Sequence, residues 1–88
     1  MMDFEQAVIA VLMSLHRGEV VTYGEVAEQA GFPGAARAVG TLLSRTTAKV
    51  PWWRVVGAGG HLRSPDPRRQ AELLASEGVE VRGRRIVG

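Results

Sequence analysis

The stretch Thr22-Tyr23-Gly24-Glu25-Val26-Ala27-Glu28-Gln29-Ala30-Gly31-Phe32-Pro33-Gly34-Ala35-Ala36-Arg37-Ala38-Val39-Gly40 carries most of what can be read about the fold. Thr22 with Glu25 three residues later is a capping-box pattern, so a helix is expected from Tyr23 to Ala30, stopped by Gly31 and Pro33. A second helix is expected over residues 34–44, with Val39, Leu42 and Leu43 inward and Ala35, Ala36, Ala38 and Gly40 keeping the rest of the cylinder thin. Two short helices across Gly31-Phe32-Pro33 form a helix-turn-helix candidate whose second member displays Arg37 on a small-residue surface. Such a surface admits close approach to a nucleic-acid groove. It would equally let helices pack tightly within the domain and leave Arg37 as a solvated charge, and the pattern alone leaves both readings open.

Upstream, Phe4, Ala7, Val8, Val11, Leu12 and Leu15 recur at helical spacing behind an Asp3/Gln6 capping pair, with Gly18 as the expected end. Downstream, Trp52 to Val56 reads as a short extended segment closed by the turn Gly57-Ala58-Gly59-Gly60. Asp66 and Pro67 then start a further helix that runs to Ser76, buries Ala71, Leu73 and Leu74, and stops at Gly78. Residues 79–87 alternate enough for a small hairpin around Arg82-Gly83. The expected architecture is one domain over residues 1–88, mainly α with small β elements, of helix-turn-helix or winged-helix-like class.

With 88 residues, 45% of them hydrophobic and 23% charged, the chain can build one modest core, and large multi-layer enzyme folds are excluded. It contains no cysteine, which removes disulfides, thiolate nucleophiles and iron-sulfur ligation. His16 and His61 lack metal spacing, so neither a metal nor another cofactor is expected. The apolar run over residues 7–15 falls short of the roughly 18 residues of a membrane span, and no basic region precedes it. A cytoplasmic protein without a membrane partner is the expectation, and the lack of extended heptads points to a monomer. Charge is lopsided: residues 1–44 carry two arginines against five acids, a balance of −3, whereas residues 45–88 carry nine cations against four acids, a balance of +5. Lys49 is the one lysine, so the cationic half is guanidinium, suited to phosphate oxygens.

Trp52 and Trp53 stand side by side, and in a strand they would point to opposite faces. One reading is an aromatic wall for an extruded base; the other is completion of a small core. Tyr23, at a helix start, could reach a phosphate or be a half-buried structural residue. Arg54, Arg63, Arg68 and Arg69 are further phosphate candidates or surface charges. Glu77, at a helix end where a carboxylate opposes the dipole, calls for a specific partner or full solvation.

Together, Val20-Val21-Thr22-Tyr23-Gly24-Glu25-Val26-Ala27, Gly31 to Gly40, Val50-Pro51-Trp52-Trp53-Arg54-Val55-Val56 and Glu72-Leu73-Leu74-Ala75-Ser76-Glu77-Gly78 resemble the DNA-binding and active-site domain of the O6-alkylguanine-DNA alkyltransferases. The family signature Pro-Cys-His-Arg corresponds to Pro51-Trp52-Trp53-Arg54, and Glu77 matches the glutamate that assists the reaction there. Nucleophile and base are both replaced, and an indole supplies neither function. This is similar to the alkyltransferase-like proteins, which bind alkylated guanine without repairing it and pass the lesion to nucleotide excision repair. Many of those keep the histidine, which this chain replaces by Trp53, and Thr46 stands where the family usually has asparagine.

The resemblance implies no enzymatic activity and a DNA-binding set of Thr22, Tyr23, Ala35, Ala36, Arg37, Gly40 and Arg54. Tyr23 would press on the lesion phosphate, and Arg37 would enter the base stack from the minor groove. The lesion pocket would comprise Tyr23, Val50, Pro51, Trp52, Trp53, Gly59 and Ser64. The implied partners are duplex DNA containing O6-alkylguanine and excision-repair proteins. Three alternatives stay open: a sequence-reading winged-helix regulator or general DNA-binding protein, a residual enzyme acting through water or Glu77, and a protein-interaction module anchored by a tryptophan.

Overall fold

The computed structural model describes residues 2–87. Its elements in chain order are α1 (Phe4–Met13), β1 (Val21–Thr22), α2 (Tyr23–Gln29), α3 (Ala36–Arg45), β2 (Val55–Val56), α4 (Pro67–Ser76), β3 (Val81–Arg82) and β4 (Arg85–Ile86). The helix starts follow local hydrogen bonding. Asp3 and Gln6 close one capping box and Thr22 and Glu25 a second, while Asp66 Oδ1 accepts the Arg69 N–H ahead of Pro67. Each such cap stabilises its helix by about 1 kcal/mol.

Two helix boundaries differ from the sequence reading by more than one residue. α1 ends at Met13 rather than Gly18, with Ser14 as its C-cap, and Leu15 is buried from the turn that follows. α3 begins at Ala36 rather than Gly34, because Gly34 takes φ 86°, a left-handed conformation that no helix start can use. Phe32, in the turn between α2 and α3, meets Phe4 of α1 edge to face at 5.1 Å, which ties the helix-turn-helix to the first helix.

β1 and β2 pair in parallel, with Val21 opposite Val55 and Thr22 opposite Val56. Because successive strand residues point to opposite faces, Val55 joins the main core with Val8, Leu12, Val26 and Val39, whereas Val56 joins a second cluster with Leu62 and Leu74. β2 is thus the partition between the helix-turn-helix half and the α4 half. β3 and β4 form the antiparallel hairpin, Val81 facing Ile86.

The segment Trp52–Arg54 is a 3₁₀ turn and not the extended run expected from its composition. The Arg54 N–H donates to Pro51 O at 3.1 Å, closing the turn. With three residues per turn, neighbouring side chains diverge by about 120° rather than 180°. Both tryptophans therefore stay half-buried, their rings 6.1 Å apart and nearly perpendicular. Trp52 packs on the main core and Trp53 on the second cluster.

Candidate nucleic-acid interface

α2 and α3 are the most extensively packed pair of elements, and α3 buries Val39 while leaving Arg37, Ala38, Thr41, Ser44 and Arg45 exposed. Tyr23, the first residue of α2, lies against α3 so closely that a Cβ at Gly40 would stand 3.8 Å from its ring, an ordinary contact. Burial raises the Tyr23 phenol above its usual pKa, and the nearby positive charge of Arg63 works in the opposite direction.

Behind α3 is a cavity of about 500 Å³ lined by Tyr23, Ala36, Arg37, Gly40, Trp52, Arg63 and Ser64, among others. That is within the usual range of small-ligand pockets, roughly 300 to 1,000 Å³. The Ser64 Oγ is buried and has no hydrogen-bond partner among the described residues. A buried hydroxyl left without a partner is costly. Arg37 stands on the rim and also borders a larger open groove of about 970 Å³ that runs along α3 past Phe4, Thr41, Arg45 and Thr47.

The pocket residues read from the sequence do not all meet. Tyr23, Trp52 and Ser64 share the cavity behind α3, but Val50, Pro51 and Trp53 line a separate cleft with Met13, Leu15 and Lys49. Trp52 borders both spaces and is the wall between them. Gly59 lines neither; its carbonyl accepts from Arg85 Nε at 3.1 Å and its Cα faces the His61 ring. Of the DNA-binding set, Ala36, Arg37 and Gly40 line the cavity with Tyr23, Ala35 borders the open groove, and the Thr22 hydroxyl accepts the Glu25 N–H.

Arg54 leaves the set of phosphate contacts. Its side chain is only 12% exposed and clasps Glu77, with Nη2 to Oε2 at 2.7 Å and Nε to Oε1 at 3.0 Å, while Nη1 donates to Leu15 O at 3.0 Å. Trp53 Nε1 and the Gly18 N–H also donate to the Glu77 carboxylate, at 2.9 and 2.8 Å. Arg54 foremost, with these other donors, holds Glu77 down to about 2 against the cost of burial. Glu77 thus has its partner, and it is a structural one: the cluster pins the end of α4 to the Trp52–Arg54 turn and to the loop after α1.

Sequence reasoning missed Gln70, which is fully buried and donates from Nε2 to Trp53 O and Val55 O at 3.1 and 2.9 Å. An amide on a helix that otherwise reads as amphipathic gives no local sign of this. The carbonyls it serves come from a turn and a strand 17 and 15 residues away.

A helix-turn-helix whose second helix presents small residues with Arg37 near its start and Arg45 at its end, and beside which a cavity walled by Tyr23 and Trp52 opens, has the form of a DNA-binding domain. The comparisons give the class its family. Residues 3–79 match the DNA-binding domain of 6-O-methylguanine DNA methyltransferase, and the chain belongs to that family. The DNA base-flipping protein of Vibrio parahaemolyticus is 41% identical over 83 residues, covering 90% of this chain and 83% of that protein. The crystal structure of Schizosaccharomyces pombe Atl1 in complex with damaged DNA containing O6-carboxymethylguanine superposes with a TM-score of 0.83 at 34% identity, over 90% of this chain and 79% of that one. Mycobacterium tuberculosis OGT in complex with DNA superposes with a TM-score of 0.75 at 41% identity, and there the chain spans half of the methyltransferase's length.

Within the family, this chain is of the alkyltransferase-like kind. It has no cysteine, so it cannot accept an alkyl group on a thiolate. The indole at position 53 keeps a hydrogen bond to Glu77, yet its Nε1 only donates and cannot carry a proton back and forth.

Proposed function

We propose that this protein is a non-enzymatic sensor of O6-alkylguanine in duplex DNA. α3 docks in the minor groove, Arg37 fills the space left in the base stack, and the lesion nucleotide rotates into the cavity walled by Tyr23, Trp52 and Ser64. The observation that carries this reading is the cavity itself: an aromatic wall and an unpartnered buried hydroxyl, opening directly beside Arg37 of the recognition helix. Flipping costs a few kcal/mol of unstacking, offset by stacking on Trp52 and by the inserted guanidinium. No bond of the lesion is broken, so the complex persists as a marker for nucleotide excision repair. The protein acts as a monomer on DNA in the cytoplasm.

The testing experiment is an equilibrium titration at fixed salt of duplexes that differ only in guanine or O6-methylguanine, with mass analysis of protein and DNA afterwards. Tighter lesion binding with every mass unchanged is expected. Equal binding of the two duplexes would leave a general DNA-binding or regulatory protein, and a methyl group on the protein would overturn the argument from the missing thiol.

A further inference from the structure

Gly57 is buried, and its backbone (φ −77°, ψ 169°) is one that any residue adopts. Its lack of a side chain therefore answers a different need. A Cβ at this position would stand 2.5 Å from Arg63 Nε, 2.6 Å from Cδ and 3.2 Å from Cγ. The Arg63 stem lies flat across the bare Gly57 backbone, and the intervening turn holds the two together through the Gly57 N–H, which donates to His61 O at 2.7 Å.

From that seat Arg63 reaches the cavity behind α3, which it lines with Tyr23, Trp52 and Ser64. Unlike Arg54, it is exposed, and it forms no ion pair among the described residues. It shares the lining of that cavity with Tyr23, which places the guanidinium and the phenol on one space. A guanidinium at a cavity mouth beside a phenol hydroxyl matches the two free oxygens of a phosphodiester, because the planar fork donates two parallel hydrogen bonds to them.

We propose that Arg63, seated on Gly57, grips with Tyr23 the phosphodiester of the nucleotide that enters the cavity. The inference rests on the nucleotide-flipping reading above and adds a positioning residue, Gly57, and a binding residue, Arg63, to it. Gly57 acts only through Arg63.

The test is a double-mutant cycle of Gly57→Ala and Arg63→Ala, each variant titrated with guanine and O6-methylguanine duplexes across a salt series. Arg63→Ala is expected to weaken lesion binding about tenfold and to lower the slope of log K against log salt by about one, with a smaller loss on undamaged duplex. Gly57→Ala should produce most of that loss with the arginine still present, and no further loss in the Arg63→Ala background, where the three atoms its Cβ would strike are gone. Arg63→Lys, a point charge without the fork, should recover the salt slope but only part of the affinity. The inference is overturned if Gly57→Ala binds as the unchanged protein does, if the two losses multiply, or if Arg63→Ala weakens both duplexes equally. Should Gly57→Ala fail to fold, full affinity of Arg63→Lys would still overturn it. A wild-type protein with no lesion preference defeats the flipping reading itself; a preference retained in Arg63→Ala with an unchanged salt slope defeats this inference alone.

Discussion

Trp53 Nε1 donates to Glu77 Oε2 at 2.9 Å, so the one polar atom of the indole is committed to the carboxylate. Arg54 and the Gly18 N–H take most of what remains of the Glu77 oxygens. A carboxylate surrounded by four donors at a side-chain exposure of 5% is no general base; it is a fastening point.

Glu77→Gln should therefore destabilise the protein strongly. Removing one partner of a buried ion pair leaves the other charge uncompensated, at a cost of about 3 kcal/mol or more. Urea unfolding monitored by tryptophan fluorescence measures the loss, and a change below 1 kcal/mol would show that the cluster contributes little.

The same residue sets an acid limit. Its folded pKa of about 2 lies below its ordinary value of 4.5, so the stability it contributes is present above pH 4.5 and is lost as pH falls toward 2. Melting temperature should fall across that window in the unchanged protein and show a flatter dependence in Glu77→Gln.

Gln70→Leu tests the polar link between the two halves. It strips Trp53 O and Val55 O of their shared donor, at about 1 to 3 kcal/mol for a buried carbonyl left unsatisfied, offset in part because Gln70 Oε1, itself buried without a partner among the described residues, is removed too. Thermal unfolding should show the loss, while the variant's preference for lesion over normal duplex, measured below its melting temperature, should persist.

Trp52→Leu keeps apolar contact with the core and removes the stacking face of the cavity wall. Lesion affinity should fall by about 1 to 3 kcal/mol, the worth of one stacked base, with undamaged duplex little affected. Equal loss on both duplexes would place Trp52 outside the recognition step.

Arg37→Ala should weaken lesion binding more than binding to undamaged DNA, because the guanidinium fills the stack only when a nucleotide has left it. Fluorescence of 2-aminopurine at the flipped position should lose its increase on binding. An equal loss on both duplexes would reduce Arg37 to an electrostatic contact.

The parts of this protein legible in its sequence are those made by neighbours in the chain. The caps at Asp3, Thr22 and Asp66 are hydrogen bonds across three residues, so the starts of α1, α2 and α4 are legible directly, whereas α3, which has no side-chain cap, starts two residues later than its composition suggests. The absence of cysteine, and with it of thiolate chemistry, needed no structure at all. What the fold alone decided is the fate of side chains whose partners are far away. Arg54 was a phosphate candidate until Glu77, 23 residues on, closed over it. Val50, Pro51 and Trp53 line a cleft apart from the cavity behind α3, because the 3₁₀ turn sets Trp52 between the two spaces. Gly57 looked like a turn residue, and its bare face became meaningful only beneath the stem of Arg63. Local hydrogen bonds and backbone sterics depend on a few adjacent residues and are written there; the pairing of charges and the walls of a cavity depend on which distant surfaces the buried apolar residues bring together.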